Sequence, residues 1–321
     1  MKLRVTTFNC ENLFNRYAIL DQPWENRSYE KMVEVVGLVS IASRAGDLAS
    51  YATSDLQRNN TAQAILDCEP DILAVQEVEN MYTLRVFNET FLDDYFDRMI
   101  LIDGNDSRGI DVGFLMKTGL EAEVVGIRTH IDDAEQGKTI RRTAFLDKGY
   151  RVSGAIFSRD CLEVDVKFGG KVLTFLLNHF KAQDRTKASV VKRTAQAERV
   201  AELAKQAVAA SKLPVVLGDL NADGKTDKSL DALKSSPVLA DPFKSIPAKD
   251  LWTHYFTFGK SVSRLDWILP HKSLSVSSPT ILRNGLTMKA KQFYDGPRYP
   301  TIGLEGTEAS DHCPTSVVIE I

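Results

Sequence analysis

Side chains able to do chemistry recur in this chain at one kind of place, the end of a short apolar run. Val5–Phe8 leads into Asn9-Cys10-Glu11-Asn12, and Ile72–Val75 into Gln76-Glu77. Val172–Leu177 leads into Asn178-His179-Phe180-Lys181, and Val215–Leu217 into Gly218-Asp219-Leu220-Asn221. Asp266 lies in a fifth such segment, and Ser310-Asp311-His312-Cys313 precedes the run Val317–Ile319. One Asp or Asn at such a place is ordinarily a turn or cap residue. Six segments together form a different pattern, because strand ends along one sheet edge converge on one crevice, where α/β folds build their sites.

The residue types suit one task. Asn9, Glu11, Glu77 and Asp311 offer oxygen ligands only, and hard oxygen donors select Mg²⁺ or Mn²⁺ over zinc. Histidine can donate to phosphate oxygens or exchange protons near neutral pH. Asp219 can accept a proton from water, and Asn221 can hold that water or a phosphate oxygen without adding charge. Such a set fits metal-assisted attack of water on a phosphoester.

The elements that position these residues follow from periodicity. The runs above, with Val112–Met116, are short, apolar and bounded by polar residues, as buried strands are. Leu84, Phe87, Phe91, Leu92 and Tyr95 carry helical spacing. So do Val200, Leu203, Ala204, Ala207 and Val208, in a helix that starts after Asp184 and ends before Pro214. Residues 15–60 read as a polar, irregular insertion, helical over Tyr29–Ser43 and again over Ser54–Cys68. Strands at both ends with helices between them indicate an α/β (α+β) sandwich. With no internal repeat or low-complexity linker, residues 1–321 read as a single domain.

Composition narrows the class. A chain of 321 residues with 43% hydrophobic and 26% charged residues is neither disordered, collagenous nor a disulfide scaffold. The net charge of -3 provides no global basic field, so any grip on DNA or RNA has to come from local patches. No apolar run approaches the roughly 18 residues of a membrane span. The first residues alternate like a strand rather than a signal peptide, which points to the cytoplasm. Four cysteines without a CxxC pair fit free, buried thiols in a reducing compartment.

Taken in order, FNCENLF, DILAVQEVEN, GIDVGFLMK, LNHFKAQ, VLGDLNAD, RLDWIL and SDHCP resemble the endonuclease/exonuclease/phosphatase superfamily. Each motif alone is weak; the ordered set, running from Asn9 to His312, is specific. The resemblance implies a four-layer αββα sandwich, with two mixed β-sheets packed face to face and helices outside. It also implies roles. Asn9 and Glu77 match the metal-holding positions, with Glu77 the principal ligand. Glu11 matches a second acidic position, and Asp311 completes the metal-side acidic cluster. Asp219 and Asn221 match the pair that orients the attacking water and the phosphate. His312 matches the histidine that contacts the scissile phosphate, and Asp266 the carboxylate paired with it. His179 matches a second histidine of the deoxyribonuclease and phosphatase branches, and Asp111 the carboxylate that pairs with that histidine.

Lys181, Arg108 and Arg159 are candidate substrate contacts, although ordinary surface charge is the usual role of such residues. His130, His254 and His271 lie outside the motifs and read as structural or surface residues, and Cys313 as a packing residue. Basic stretches at 138–151, 181–193 and 289–298 stand out. The third interleaves Phe293 and Tyr294, either to stack on bases or to anchor the loop. The leading expectation is a phosphodiesterase dependent on Mg²⁺ or Mn²⁺, an endonuclease or exonuclease acting on DNA or RNA. A phosphatase or a phospholipid diesterase, of the inositol-phosphate or sphingomyelin type, is the runner-up. A non-catalytic binding module of the same fold is disfavoured, because every aligned catalytic position carries a competent residue.

Overall fold

The computed structural model describes residues 1–13, 17–20, 33–35, 38–41, 47–50, 53–106, 108–145, 149–184, 186–304 and 306–321. The chain opens on β1 (Lys2–Leu13), followed by four short strands: β2 (Tyr17–Leu20), β3 (Val33–Val35), β4 (Leu38–Ile41) and β5 (Asp47–Ser50). Then come α1 (Asp55–Cys68), β6 (Ile72–Val78), α2 (Met81–Phe91), β7 (Phe96–Leu101), β8 (Asp111–Lys117) and β9 (Glu123–Arg128). A hairpin, β10 (Arg141–Phe145) and β11 (Gly149–Ser153), precedes β12 (Cys161–Phe168), β13 (Lys171–His179) and the long helix α3 (Lys187–Ala209). The last third holds β14 (Leu213–Asp219), α4 (Asp231–Lys234) and a second hairpin, β15 (His254–Phe256) and β16 (Ser261–Ser263). It closes with β17 (Asp266–Pro270), β18 (Ser275–Ile281) and β19 (Thr315–Glu320).

Two sheets dominate. One has the order β18-β19-β1-β6-β8-β7, the other β17-β14-β13-β12-β9. Both are mixed: β1 and β6 run parallel, as do β13 and β14, while their other neighbours are antiparallel. Alternation along each strand sends every second residue to the other face. Val5, Ile72, Phe114 and Val317 from the first sheet thus meet Val164, Phe175, Leu177 and Val215 from the second in one buried core. The Phe114 and Phe175 rings lie 5.5 Å apart across it. The intervening residues face outward and are covered by helices. Leu73, Val75 and Leu115 pack with Ile65 of α1 and Leu84 of α2. Leu176 and Val216 pack with Ala197, Val200 and Ala204 of α3. The result is the expected helix–sheet–sheet–helix sandwich.

All six strand expectations fall inside observed strands, and α3 spans the expected helix. Ser54 caps α1 by accepting from the Gln57 amide, as its type favours. Two expectations are corrected. The described part of Tyr29–Ser43 is not helical: β3 and β4 pair antiparallel, Val33 opposite Ile41 and Val35 opposite Leu38. The β-branched run around Gly37 prefers extended backbone. Tyr95 lies beyond α2, because Asp93 and Asp94 both take left-handed backbone, with φ of 51° and 53°. All four cysteines are free and buried. Among the described residues, no helix is long and apolar enough to cross a membrane.

His130 is structural, as expected. It is buried on the outer side of β12, with Nδ1 3.1 Å from Asp133 and Nε2 2.9 Å from Glu163. Burial lowers its pKa, but these two carboxylates outweigh burial and raise it to about 9. An unfolded histidine titrates near 6.5. The ion pairs therefore stabilise the fold fully below that pH, and their contribution is lost as pH rises through about 9. His130→Gln is expected to cost on the order of 3 kcal/mol more at pH 6 than at pH 10. Urea unfolding of both proteins at the two pH values checks it; a cost independent of pH would mean the ring is neutral.

Candidate active site

Strand direction gathers the expected residues at one end of the sandwich. In the first sheet Asn9 lies in the later part of β1, Glu77 near the end of β6, and Asp111 at the start of the antiparallel β8. In the second sheet His179, Asp219 and Asp266 stand side by side in register on β13, β14 and β17. Asp311 and His312 arrive just before β19. Three of these residues have left-handed backbone, Glu11 at φ 47°, Glu77 at φ 61° and Asn221 at φ 50°. Such conformations are disfavoured for side chains with a Cβ and gather where geometry serves function.

Asp219 is the hub. It is 1% exposed, and its Oδ2 accepts from Asn9 Nδ2 at 3.1 Å and Asn221 Nδ2 at 3.0 Å. Its Oδ1 accepts from the Asn221 amide at 2.8 Å. Burial, partly opposed by His312 and reinforced by Asp266, raises its pKa to about 7. The two histidines flank it, His179 Nε2 at 3.5 Å and His312 Nε2 at 3.8 Å. Their environments push them apart. Burial would lower the pKa of His312, but the charges of Asp266 and Asp219 raise it well above the ordinary value. His179 is lowered well below it by burial and by the charge of Arg159. An imidazolium and a neutral imidazole therefore face the same carboxylate.

His312 is held as expected: its Nδ1 lies 2.8 Å from Asp266 Oδ2. The pairing of His179 with Asp111 is not formed. Asp111 instead accepts from the Gly104 amide at 2.7 Å, and His179 Nδ1 is buried without a hydrogen-bond partner. Nε2 of His179 lies 3.7 Å from Glu77, so its nearby carboxylates are Glu77 and Asp219. Burial and the charges of Asp103, Asp106 and Asp160 raise Asp111 to about 7.

The basic candidates differ in placement. Arg159 is buried, like the catalytic candidates themselves. Its guanidinium donates to the Phe180 carbonyl, next in sequence to His179, and pairs with Asp106. Arg108 is an exposed guanidinium anchored on both oxygens of Asp106 at 3.1 Å. The Lys181 backbone is fixed between Gln196 and Arg193 on α3. In the third basic stretch Arg298 donates to the carbonyls of Leu286 and Tyr294, and the Tyr294 hydroxyl to the Pro297 carbonyl, while Phe293 is partly exposed.

Two site residues escaped the sequence reading. The Thr253 hydroxyl donates to Asp266 Oδ2 at 2.7 Å and accepts from the amides of Leu265 and Asp266, both at 3.0 Å. It fixes the carboxylate that fixes His312. Thr253→Val strands two buried amide donors and is expected to cost about 1–3 kcal/mol of stability. Thr253→Ser should retain it; chemical unfolding of the two variants checks the difference. His254, read as structural or surface, lies in the site: its Nε2 is 3.3 Å from Asp311 Oδ2 and its ring 4.6 Å from that of His312. The sequence around His254 gave no signal of this, since only a β-bridge between His254 and His312 brings the two rings together.

The donor set fits a divalent cation. Glu11 accepts from the Asp311 amide at 2.8 Å, and burial with the charges of Asp311 and Glu308 raises it to about 8. Ionised Glu11 is thus costly at this place, and a bound cation would offset that cost. Asn9 turns its amide nitrogen to Asp219, leaving Oδ1 on the side of Glu11, whose amide it accepts at 3.0 Å. His254, Asp311 and His312 form one group with ligand atoms close enough to share a metal; Asp219, Asp266 and His312 form another. The second is better read as a proton-holding array, because His312 Nδ1 is committed to Asp266.

The model of the Endonuclease/Exonuclease/phosphatase family matches residues 6–312. No curated protein matches the sequence. Among solved structures, truncated TDP2 of Caenorhabditis elegans is 16% identical, covering 100% of this chain and 98% of that chain with a TM-score of 0.59. A mannosyl-6-phosphatase of Bacteroides thetaiotaomicron is 16% identical over 99% of this chain and 100% of that chain, at a TM-score of 0.58. The human Nocturnin catalytic domain, with bound sulfate, is 20% identical over 84% of this chain and 88% of that chain, at 0.54. At such identities the likeness is one of fold. The family match is of another kind: it spans nearly the whole chain, from before Asn9 through His312, and the chain belongs to the Endonuclease/Exonuclease/phosphatase family.

Proposed function

We propose that this protein is a divalent-metal-dependent phosphodiesterase that hydrolyses nucleic acid, using Mg²⁺ or Mn²⁺. The observation that carries the reading is Asp219, set between a histidine held charged and one held neutral, and hydrogen-bonded to Asn9, which in turn contacts Glu11. Asn9, Glu11, Glu77 and Asp311 would hold the cation. When bound, it supplies positive charge that polarises the phosphate and stabilises the leaving oxygen. Asp219 orients the attacking water and takes its proton, its carboxylate fixed by Asn9 and Asn221. Imidazolium His312, fixed by Asp266, donates to a non-bridging oxygen as charge develops there. Neutral His179 offers its ring N–H to the phosphate or the leaving oxygen.

The likeness to a mannosyl-6-phosphatase supports a second reading, hydrolysis of a small phosphoester by the same groups. Initial rates on single- and double-stranded DNA, RNA, a sugar phosphate, an inositol phosphate and sphingomyelin separate the two. Each is run with Mg²⁺, Mn²⁺ or EDTA. Metal-dependent cleavage of a polynucleotide, weakening steeply with salt, is the expected result. Turnover of small or lipid esters alone, insensitive to salt, would replace the first reading with the second.

A further inference from the structure

The β15–β16 hairpin carries the aromatic segment His254-Tyr255-Phe256-Thr257-Phe258. Strand alternation divides it into two faces. Tyr255 is buried, its hydroxyl donating to the Lys289 carbonyl at 3.0 Å, and this ties the hairpin to the body. His254 and Phe256 share the other face, with Phe258 beyond them in the turn. The rings follow one another outward from the catalytic histidine. His312 to His254 is 4.6 Å at a 49° interplanar angle, His254 to Phe256 is 6.5 Å at 26°, and Phe256 to Phe258 is 6.1 Å at 58°.

The outer rings are out of place on a soluble surface. Phe258 is 93% exposed and Phe256 42% exposed. Leaving large apolar side chains in water forgoes the stabilisation that burial would bring. Their position is built rather than incidental. A Cβ at Gly259 would stand 2.6 Å from Cδ1 of Phe256, so glycine makes room for that ring over the turn. Lys260 follows in the same turn, with left-handed backbone at φ 44°.

The geometry points to a base-stacking ladder: Phe256 and Phe258 receive nucleobases next to a phosphate held at His312. This rests on the nucleic-acid reading above and sharpens it to an unpaired strand, whose bases are free to leave their own stack. The occupant follows from continuity with the phosphate site and from ring spacing. Each exposed ring offers its own apolar face, the second tilted 58° from the first, and every base has a π-face to lay against one, whatever its sequence. A phosphomonoester of a sugar has no such face.

The test compares wild type with Phe256→Ala, Phe258→Ala and Phe258→Trp. The probes are a short single-stranded DNA oligonucleotide and an oligomer of the same length and charge whose residues lack bases. Either alanine variant is expected to lower kcat/KM on the base-bearing strand about 10-fold, with the tryptophan variant close to wild type. The base-free oligomer should be cut at one rate by all four proteins. If wild type cuts the base-bearing strand and the alanine variants match it, the ladder is wrong and the nuclease reading stands. An equal loss on both oligomers also overturns it, because the rings would then support the fold or the backbone. If wild type neither binds nor cuts either oligomer but hydrolyses another ester, the nuclease reading falls and the ladder with it. Loss of binding to phosphatidylcholine–phosphatidylserine vesicles by Phe258→Ala, with oligonucleotide cleavage intact, would assign the rings to a membrane instead.

Discussion

Asp219→Asn is expected to lower kcat by about 10²–10⁴-fold, the range typical of a lost general base, without lowering stability at alkaline pH. The substitution keeps the size of the side chain and its acceptor toward the Asn221 amide. It removes the charge that takes the proton of water. It also sets an amide against Asn9 Nδ2 and Asn221 Nδ2, both of which now donate to the carboxylate. That conflict has a local cost, but the wild-type carboxylate carries a larger one. Its folded pKa is raised to about 7, chiefly by burial, against about 3.9 when unfolded. The native state is therefore penalised increasingly as pH rises from about 4 to about 7, and fully above that. Asn does not carry this penalty. Initial rates with Mg²⁺, together with unfolding at pH 5 and pH 8 in EDTA, give both quantities. Turnover within tenfold of wild type would remove Asp219 from the centre of the chemistry. An unfolding midpoint well below wild type at pH 8 would show that the charge is not the costly element.

The strand-end pattern made most of this site legible, and the reason is physical. A buried strand needs apolar residues and ends where they stop, so a polar residue just past the run is both visible in sequence and placed at a sheet edge. Asn9, Glu77, His179 and Asp219 follow that logic, and Asp266 mirrors it as the first residue of β17, which runs antiparallel to β14. The sheet order does not, because β1 lies between β6 and β19, partners from opposite ends of the chain, and local periodicity carries no pairing information. The ordered family motifs supplied the sandwich instead. Thr253 and His254 remained hidden because their roles come from the fold-back of β15 onto β16 and the bridge to His312. Asp111 misled for the opposite reason: a carboxylate near His179 in the motif is claimed by the Gly104 amide once the loop before β8 closes. Where a side chain's partner is a backbone group on a loop, residue type alone does not reveal it.

Gly218→Ala is expected to destabilise the protein by more than about 4 kcal/mol, a size reserved for specific steric or electrostatic failures. Gly218 lies in β14 immediately before Asp219, with φ of 133°, a backbone that side chains with a Cβ rarely adopt. It also lies opposite Asn178 in the parallel pairing with β13. A Cβ there would stand 1.9 Å from the Asn178 carbonyl oxygen and 2.8 Å from its carbon. Both are backbone atoms in the middle of the second sheet, so no rotamer change relieves the overlap. Either β13 and β14 separate, with loss of ladder hydrogen bonds, or β14 rotates and carries Asp219 away from His179 and His312. A domain of this kind has only about 5–15 kcal/mol of stability to lose. Gly170→Ala, in the turn joining β12 to β13, is the matched control: a Cβ there meets nothing within 4 Å, and its effect should stay within about 0.5 kcal/mol. Urea unfolding of both variants, with soluble yield recorded, tests the contrast. A Gly218→Ala protein as stable as the control would mean that the strands do not approach this closely. A stable but inactive one would mean that the sheet yields and the carboxylate moves. The expected severity comes from one feature: the close approach that brings His179 and Asp219 onto adjacent strands in register leaves no space for a side chain between them.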